Sequence, residues 1–328
     1  MHAIKCTMRN QAQTQNPVLV FDPSAVRQHR MRAAGRPNAE FLFAECAERL
    51  VDRLTDINRK FTRILDLGAR DGMLGRRMRE RGAIELLVAS DPVAAFVGKA
   101  PEPHLVAEAE ALPFAEASFD LVLSNLALHW TNDLPGALLQ LRRALKSDGL
   151  LLVSLLAGDT LHELRQALIE AESEIENGAS PRVSPFADPR DLAGLLQRAG
   201  FALPVVDTDR IEVTYPDALS LMRDLRSMGE SNAVAARRRN FTRRATLLRA
   251  VEIYQARFAR ADGRIPASFE IATLTAWAPH ASQPKPLRPG SAETRLADAL
   301  KTSEHSAGEK ARPAGSIGRL AKSDENSN

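Results

Sequence analysis

The chain has 328 residues, of which 44% are hydrophobic, so it can form a full core in one large or two small domains. Its 44 basic and 41 acidic residues leave a net charge of only +3. This balance argues against nucleic acid as the partner.

Two helices are predicted near the N-terminus. The first covers Ala25 to Met31, with Ser24 as its cap. The second follows the turn GRPN and carries apolar residues at helical spacing, namely Phe43, Cys46, Leu50 and Leu54. We expect both helices to form the N-terminal part of a larger α/β domain.

Apolar runs then alternate with amphipathic helices. Five strands are predicted, in FTRILDLG, IELLVASD, HLVAEAEALPF, SFDLVLSNLALHW and LLLVSLLAG. Two of the helices between them are GRRMRERG and DLPGALLQLRRALKSDG, the second of which is predicted to stop at Gly149. The alternation predicts a Rossmann-like, doubly wound and mostly parallel sheet with helices on both faces.

The second half of the chain adds two strands and four helices. The helices TLHELRQALIEAESEIE and DLAGLLQRAG precede a strand in PVVDTDRIEVTY, and ASFEIATLTAWAP is the last strand. Between these strands, ALSLMRDLRSMG and RRRNFTRRATLLRAVEIYQARFAR predict a helical insertion at about 215–265. We expect one domain, residues 21–279, between disordered tails at 1–20 and 280–328.

The sequence gives no sign of export or of a metal site. No apolar run is long enough to cross a bilayer, and the N-terminus lacks the apolar core of a secretory signal. Cys6 and Cys46 match no metal or redox spacing. We therefore expect a cytoplasmic protein with free thiols and no bound metal.

Three acidic residues fall at the ends of successive predicted strands, namely Asp66, Asp91 and Glu108. In open parallel sheets, ligands bind at the carboxyl ends of the strands, and a carboxylate after the second strand accepts the hydroxyls of a ribose. The alternative for Asp91 is a helix cap, because Asp-Pro opens a predicted helix. The pattern indicates a nucleoside-type site.

The glycine loop after the first strand reads GARDG, with Arg70 and Asp71 between Gly68 and Gly72. Gly68 suits a tight strand-to-helix turn, where a side chain would block a ligand. A Rossmann dehydrogenase needs GxGxxG, so a nicotinamide or flavin site is disfavoured.

The motifs ILDLGARDG, ASDP, EAEALPFAEASFDLVLSNLALHW and LKSDGLLLVS resemble those of class I S-adenosylmethionine-dependent methyltransferases. The resemblance implies that S-adenosyl-L-methionine is the cofactor. Its methionine part would lie by the glycine loop, its ribose at the second strand end and its adenine after the third strand. The implied cofactor-binding residues are Asp66, Gly68, Ala69, Gly72, Asp91, Pro92, Glu108, Ala109 and Ser124. Arg70 departs from the family's glycine, but we expect the loop still to bind.

Further segments from Phe119 to Trp277, including SNLALHWTNDLPGAL, LLAGDTLHELRQAL and DLRSMGESNA, resemble the complex I assembly factor 5 family. This resemblance implies hydroxylation of an arginine on an iron–sulfur subunit of NADH:ubiquinone oxidoreductase, in a bacterial cytoplasm or a mitochondrial matrix. The alternatives are a carboxyl O-methyltransferase acting on a small molecule or a malonyl carrier protein, and a non-catalytic assembly chaperone.

Candidate residues for the chemistry follow the fourth and fifth strands. His129 could donate to or deprotonate the acceptor, or could pack with Trp130 to brace the loop. Asp159, before the next helix, is a weaker catalytic candidate that could simply cap that helix. Residues 124–127 read Ser-Asn-Leu-Ala, which lacks the proline and the aromatic residue typical of nucleobase and amide N-methyltransferases.

The densest basic cluster lies in the predicted insertion and comprises Arg237, Arg238, Arg239, Arg243 and Arg244. It could bind an acidic protein surface or RNA, or form the solvated face of a helix. Against RNA, Phe241 is the one aromatic residue within the cluster. The adjacent MGESNA segment could form a lid over a folded protein substrate.

Overall fold

The structure is a computed structural model that describes residues 19–36, 40–82, 84–284, 291 and 296–303. Within these residues seven strands form one sheet. In chain order they are Arg63–Leu67 (β1), Leu86–Ser90 (β2), His104–Leu105 (β3), Phe119–Asn125 (β4), Leu145–Ala157 (β5), Ala202–Tyr215 (β6) and Ile265–Trp277 (β7).

The strand order in the sheet is β3-β2-β1-β4-β5-β7-β6. Neighbouring strands from β3 to β5 are parallel, whereas β7 runs antiparallel to both β5 and β6. Strands that follow β1 are added on one side of the sheet, and strands that follow β4 are added on the other side. The carboxyl ends of these two neighbouring strands therefore form the crevice where such sheets bind ligands. The prediction of a doubly wound, mostly parallel sheet is confirmed.

Ten α-helices lie among the described residues. In chain order they are Pro23–Ala33 (α1), Phe41–Arg53 (α2), Met73–Glu80 (α3), Ala94–Val97 (α4), Leu134–Ala144 (α5), His162–Glu176 (α6), Pro189–Arg198 (α7), Ala218–Met228 (α8), Arg244–Phe258 (α9) and Leu296–Leu300 (α10). A 3-10 turn, Leu128–Trp130, follows β4.

Alternate residues of the central strand β4 pack on opposite helical layers. Leu121 and Leu123 join a buried cluster with α2 and α3, whereas Val122 joins a cluster with α5 and α7. Every position of β4 is buried. This two-sided burial explains the continuous apolar run, because a strand covered on both faces has no solvated side.

The helical insertion before the last strand is confirmed as α8 and α9, which pack with α6 on β7. The arginine run at 237–243, which was predicted to be helical, is not, since α9 begins only at Arg244. Its guanidinium groups pair with acids on other elements, and these tertiary contacts replace a local helix.

Two predicted helix ends also differ. Helix α5 ends at Ala144 and not at Gly149, because Leu145 is already extended and pairs with Phe119 of β4. Helix α1 is capped by Asp22 and not by Ser24, because the Asp22 carboxylate accepts the backbone N–H groups of Ser24 and Ala25.

The chain divides into two compact units, residues 1–281 and 282–328. Residues 1–18 of the predicted N-terminal tail lie outside the described residues. Part of the predicted disordered C-terminal tail is instead helical as α10, and residues 304–328 lie outside the described residues. None of the described helices is long and apolar enough to span a membrane.

Candidate functional site

The glycine loop, residues 68–72, connects β1 to α3 through two left-handed glycines. Gly68 has φ +69°, and a Cβ there would lie 2.2 Å from Cβ of Ala127. The backbone N–H of Gly68 donates to the carbonyl of Ser90 at 2.7 Å, which holds the loop against the end of β2. Both the backbone angle and the close approach therefore require glycine at position 68.

Arg70, in the middle of this loop, also has a positive φ, +52°. Its guanidinium carbon lies 3.8 Å from the ring centre of Phe43 and 4.4 Å from that of Phe96. Its Nη1 donates to the carbonyl of Met228 at the end of α8. Burial lowers the pKa of Arg70 to about 10, so the side chain stays charged at neutral pH. Arg70 thus links the glycine loop to the insertion.

Three side-chain oxygens near the loop are buried without a hydrogen-bond partner among the described residues: Oδ1 of Asp66 and the Oγ atoms of Ser90 and Ser124. Oδ2 of Asp66 accepts the backbone N–H of Gly75 at 3.0 Å. Burial raises the pKa of Asp66 to about 7. A positively charged ligand group beside Oδ1 would restore the ionised form.

The Asp91 carboxylate is fully buried and holds three groups. Oδ1 accepts the N–H of Val93 at 2.8 Å, and Oδ2 accepts the N–H of Arg70 at 3.0 Å. Oδ2 also pairs with Nη2 of Arg30 from α1 at 2.6 Å. The Arg30 guanidinium therefore lies where the sequence predicts ribose hydroxyls.

A pocket of about 90 Å³, here called the α1 pocket, lies between α1 and the strand ends. It is lined by Gly68, Pro92, Glu108 and Ala109, and α1 covers it with Arg27 and Arg30. Arg27 pairs with Glu108 at 2.6 Å across the pocket. Sequence reasoning did not include α1 in the site, because no local pattern signals contacts between residues 81 positions apart.

The chemistry of these residues fits the cofactor implied by the sequence, although the α1 pocket is smaller than such a ligand needs. Gly68 lines the α1 pocket, and Asp66, Ser90 and Ser124 have unpartnered oxygens. Small-molecule sites usually enclose about 300–1,000 Å³. At about 90 Å³ the α1 pocket must widen, and withdrawal of Arg30 would both create space and free Asp91.

A second space of about 880 Å³, here called the insertion cavity, lies between the insertion and the segments after β4 and β5. Trp130 lines both this cavity and the α1 pocket. Oε2 of Glu230 accepts from Trp130 Nε1 and lies 3.0 Å from His129 Nε2. Sequence reasoning did not select Glu230, although the MGESNA segment considered as a lid contains it.

Asp159 lies apart from these residues. It lines a separate depression with Asp209, Arg210 and Glu270, none of which lines the α1 pocket or the insertion cavity. Its side chain does not cap α6, which begins after Leu161 without a side-chain cap. His129 is buried and lines neither space, but it contacts Glu230 of the insertion cavity, whereas among the described residues Asp159 has no such link to the candidate site.

Three arginines of the basic cluster pair with acidic side chains. Arg237 and Arg239 both pair with Asp22 ahead of α1, and Arg238 pairs with Glu172 and Glu176 of α6. Arg243 and Arg244 are exposed at the start of α9. Most of this cluster thus joins the insertion to the rest of the domain.

Comparison with known proteins assigns the family. The family model described as a methyltransferase domain matches residues 38–204. The chain is 39% identical over 290 residues to the mitochondrial arginine-hydroxylase NDUFAF5 of Danio rerio, covering 86% of this chain and 90% of that protein. It is 34% identical to the malonyl-[acyl-carrier protein] O-methyltransferase of Gallionella capsiferriformans, covering 79% of this chain and 92% of that protein. The fold resembles that of the YcgJ protein from Bacillus, with a TM-score of 0.50 and 14% identity. The match covers 71% of this chain and 99% of that protein. The chain therefore belongs to the methyltransferase-domain family and, within it, to the NDUFAF5 arginine-hydroxylases.

Proposed function

We propose that this protein binds S-adenosyl-L-methionine at the glycine loop and modifies an arginine side chain on an iron–sulfur subunit during assembly of respiratory complex I. The observation that carries the proposal is the 39% identity to an arginine-hydroxylase over 86% of the chain. The protein would meet this subunit in a bacterial cytoplasm, or in the matrix of a mitochondrion.

The proposed cofactor contacts follow from the unpartnered groups. Asp66 and Ser124 would hold the methionine end beside the Gly68 turn, and Ser90 lies at the end of β2 next to them. Asp91 would accept the ribose hydroxyls once Arg30 withdraws. The remaining predicted contacts are to the adenine and the loop backbone, from Pro92, Glu108, Ala109, Ala69 and Gly72.

When bound in this fold, S-adenosyl-L-methionine supplies an electrophilic methyl group on a sulfonium. Side chains alone do not activate oxygen, so hydroxylation would depend on chemistry beyond them. What the residues of this chain contribute in either case is binding, orientation and exclusion of water. The insertion cavity, which shares Trp130 with the α1 pocket, is the proposed place for the acceptor side chain.

Carboxyl O-methylation of a carrier protein is the second candidate, favoured by the 34% identity to a malonyl-[acyl-carrier protein] O-methyltransferase. A carboxylate acceptor needs no general base, because it is already a nucleophile. It would, however, have to enter a cavity that contains the buried acid Glu230.

The test is mass spectrometry of the NADH dehydrogenase subunits from a strain that lacks the gene. We expect one arginine to lose the mass of an oxygen atom relative to the parent strain, and the wild-type gene to restore it. Asp91→Asn should fail to restore it, because the amide has one acceptor oxygen and no charge, whereas the carboxylate offers an oxygen to each ribose hydroxyl. Asp120→Asn is the matched control. Asp120 is also a buried acid, but it lies near the N-terminal end of β4, whereas the candidate site lies at the C-terminal ends of the strands.

An arginine that stays hydroxylated without the gene would contradict the proposal. Loss of a methyl ester from an acyl carrier protein would support the second candidate. Restoration of hydroxylation by Asp91→Asn as well as by Asp120→Asn would show that the cofactor site is not used, as in an assembly chaperone.

A further inference from the structure

Glu230 is a buried acid with one uncommitted oxygen. Its side chain is 4% exposed and follows Gly229, the left-handed residue that ends α8. Oε2 is held by His129 and Trp130, both at 3.0 Å. Oε1 is buried and has no hydrogen-bond partner among the described residues. A buried oxygen without a partner is costly, which points to a ligand as the missing donor.

The charges around Glu230 keep it ionised. Burial favours the neutral acid, but the contact with His129 and the positive charges of Arg30 and Arg70 outweigh burial. The pKa of Glu230 therefore lies below its ordinary value. A cation that donates hydrogen bonds to Oε1 would satisfy this oxygen.

The walls of the insertion cavity suit a long side chain with an apolar stem and a charged end. Apolar lining residues include Leu156, Leu161, Leu164, Phe186 and Met222. A volume of about 880 Å³ can hold such a side chain together with its flanking peptide.

The other charged side chains that line the cavity have partners or are exposed. Arg182 pairs with Glu172, and Asp217 caps α8 through the N–H of Ser220. Arg223 donates to the hydroxyl of Ser220, and Arg226 is exposed. The buried charge that faces a ligand is therefore negative.

Glu230 also lies close to the α1 pocket and to the glycine loop. Its partner Trp130 lines the α1 pocket as well, and Arg70, a neighbouring charge, belongs to the loop itself. A group held by Glu230 would thus be oriented toward the place where the cofactor is proposed to bind.

We propose that the carboxylate of Glu230 binds the guanidinium group of the substrate arginine and positions that side chain beside the glycine loop. That the cavity takes a cation follows from its burial and charge, whereas the identification of the cation as arginine rests on the proposed function. His129 and Trp130 are then positioning residues that hold Oε2 and leave Oε1 for the ligand.

The test uses the indole N–H signal of Trp130, which NMR can follow because the chain has only two tryptophans. The probes are N-acetyl-arginine amide and N-acetyl-citrulline amide, which have nearly the same shape but differ in charge. We expect the arginine probe to shift the Trp130 signal with an affinity roughly tenfold or more above that of the citrulline probe.

Glu230→Gln should remove this preference, while its amide oxygen can still accept from Trp130 Nε1. Glu163→Gln is the matched control, because Glu163 is equally buried but does not line the insertion cavity. It should keep the preference. Thermal melting of each variant checks that the fold is retained.

Equal affinities of the two probes for the wild-type protein would overturn the proposal, and this comparison needs no variant. A preference that survives Glu230→Gln would overturn it as well, as would tighter binding of N-acetyl-glutamate amide. The assay contains no cofactor and follows no reaction. An arginine preference without arginine modification in the deletion strain would therefore contradict the proposed function and leave the binding site intact.

Discussion

Arg70 occupies a backbone conformation that suits glycine, with φ +52°. For a residue with a side chain this conformation costs about 1–2 kcal/mol. The contacts of its guanidinium with Phe43, Phe96 and the carbonyl of Met228 offset that cost. The arginine is thus a structural link between the glycine loop and the end of α8.

We predict that Arg70→Gly lowers the melting temperature and changes the affinity for S-adenosyl-L-methionine by less than about tenfold. The lost charge-assisted hydrogen bond and ring contacts are worth roughly 2–3 kcal/mol together, more than the relief of backbone strain. Thermal melting and calorimetry measure the two effects.

Arg70→Asn distinguishes the effect of backbone strain on stability from the effect of the lost guanidinium contacts. Asparagine tolerates the left-handed conformation but lacks the guanidinium. This variant should be destabilised much as Arg70→Gly is. A large gain in cofactor affinity in Arg70→Gly would show instead that the natural loop is impaired.

At the residue scale, prediction from sequence succeeded where a local backbone requirement was visible. Gly68 and Gly72 were selected from their spacing, and both have left-handed backbone angles. Glu230 was missed because its partners, His129 and Trp130, are about 100 residues earlier in the chain. Nothing in MGESNA itself shows that its acid is buried.

Helix α1 covers the candidate site and contributes two cations to it. Arg27 and Arg30, three positions apart, lie on one face of the helix and pair with Glu108 and Asp91. The first pair is half exposed, whereas Arg30 and Asp91 are almost completely buried. Both acids are predicted cofactor contacts, but only the Arg30–Asp91 pair is buried, so only this pair is expected to oppose cofactor binding strongly.

We predict that Arg30→Ala binds S-adenosyl-L-methionine more tightly than the wild-type protein does, by roughly tenfold. The variant leaves the buried charge of Asp91 without its partner, a loss that typically costs 3–5 kcal/mol. Ribose hydroxyls of a bound cofactor would restore part of this lost stability. The melting temperature of the variant should therefore be lower than that of the wild-type protein without cofactor, and should recover when cofactor is added. Calorimetry and thermal melting provide the measurements.

Arg27→Ala is the control for this prediction, because removal of an exposed ion pair changes stability by only about 0–1 kcal/mol. Its cofactor affinity should stay within about fivefold of the wild-type value, the factor that corresponds to about 1 kcal/mol. Weaker binding in Arg30→Ala would mean that Arg30 contacts the cofactor directly and does not compete with it.

At the element scale, periodicity predicted the strands and most helices, because burial on one or both faces leaves a repeat in the sequence. It failed at residues 237–243, where Arg237 and Arg238 pair with Asp22 and with acids of α6. Such distant ion pairs override helix propensity and leave no periodic signal.

The whole domain is built around a sheet whose two faces are covered by helices. Cys46 of α2 is 1% exposed and belongs to the same buried cluster as residues of α6, α8, α9 and β7. Burial raises the pKa of its thiol to about 12. The rate at which this thiol reacts therefore depends on unfolding or opening of the domain that exposes it.

We predict that Cys46 in a Cys6→Ser variant reacts with a disulfide reagent no faster than the domain unfolds. The variant removes the other cysteine, which lies outside the described residues. The labelling rate should rise with urea in parallel with the unfolding rate measured by circular dichroism. Rapid labelling in native buffer would show instead that α2 opens locally.

The amino-acid sequence by itself determined the α/β class, the glycine turn, the acids at the strand ends and the family. Each of these depends on a spacing or a burial pattern within a short segment. Only the tertiary structure decided that Arg30 pairs with Asp91, that Arg70 links the loop to α8, and that Glu230 accepts a hydrogen bond from Trp130. These contacts join residues 61 to 158 positions apart. Their partners are selected by the packing of α1 and the insertion on the sheet, which no local pattern encodes.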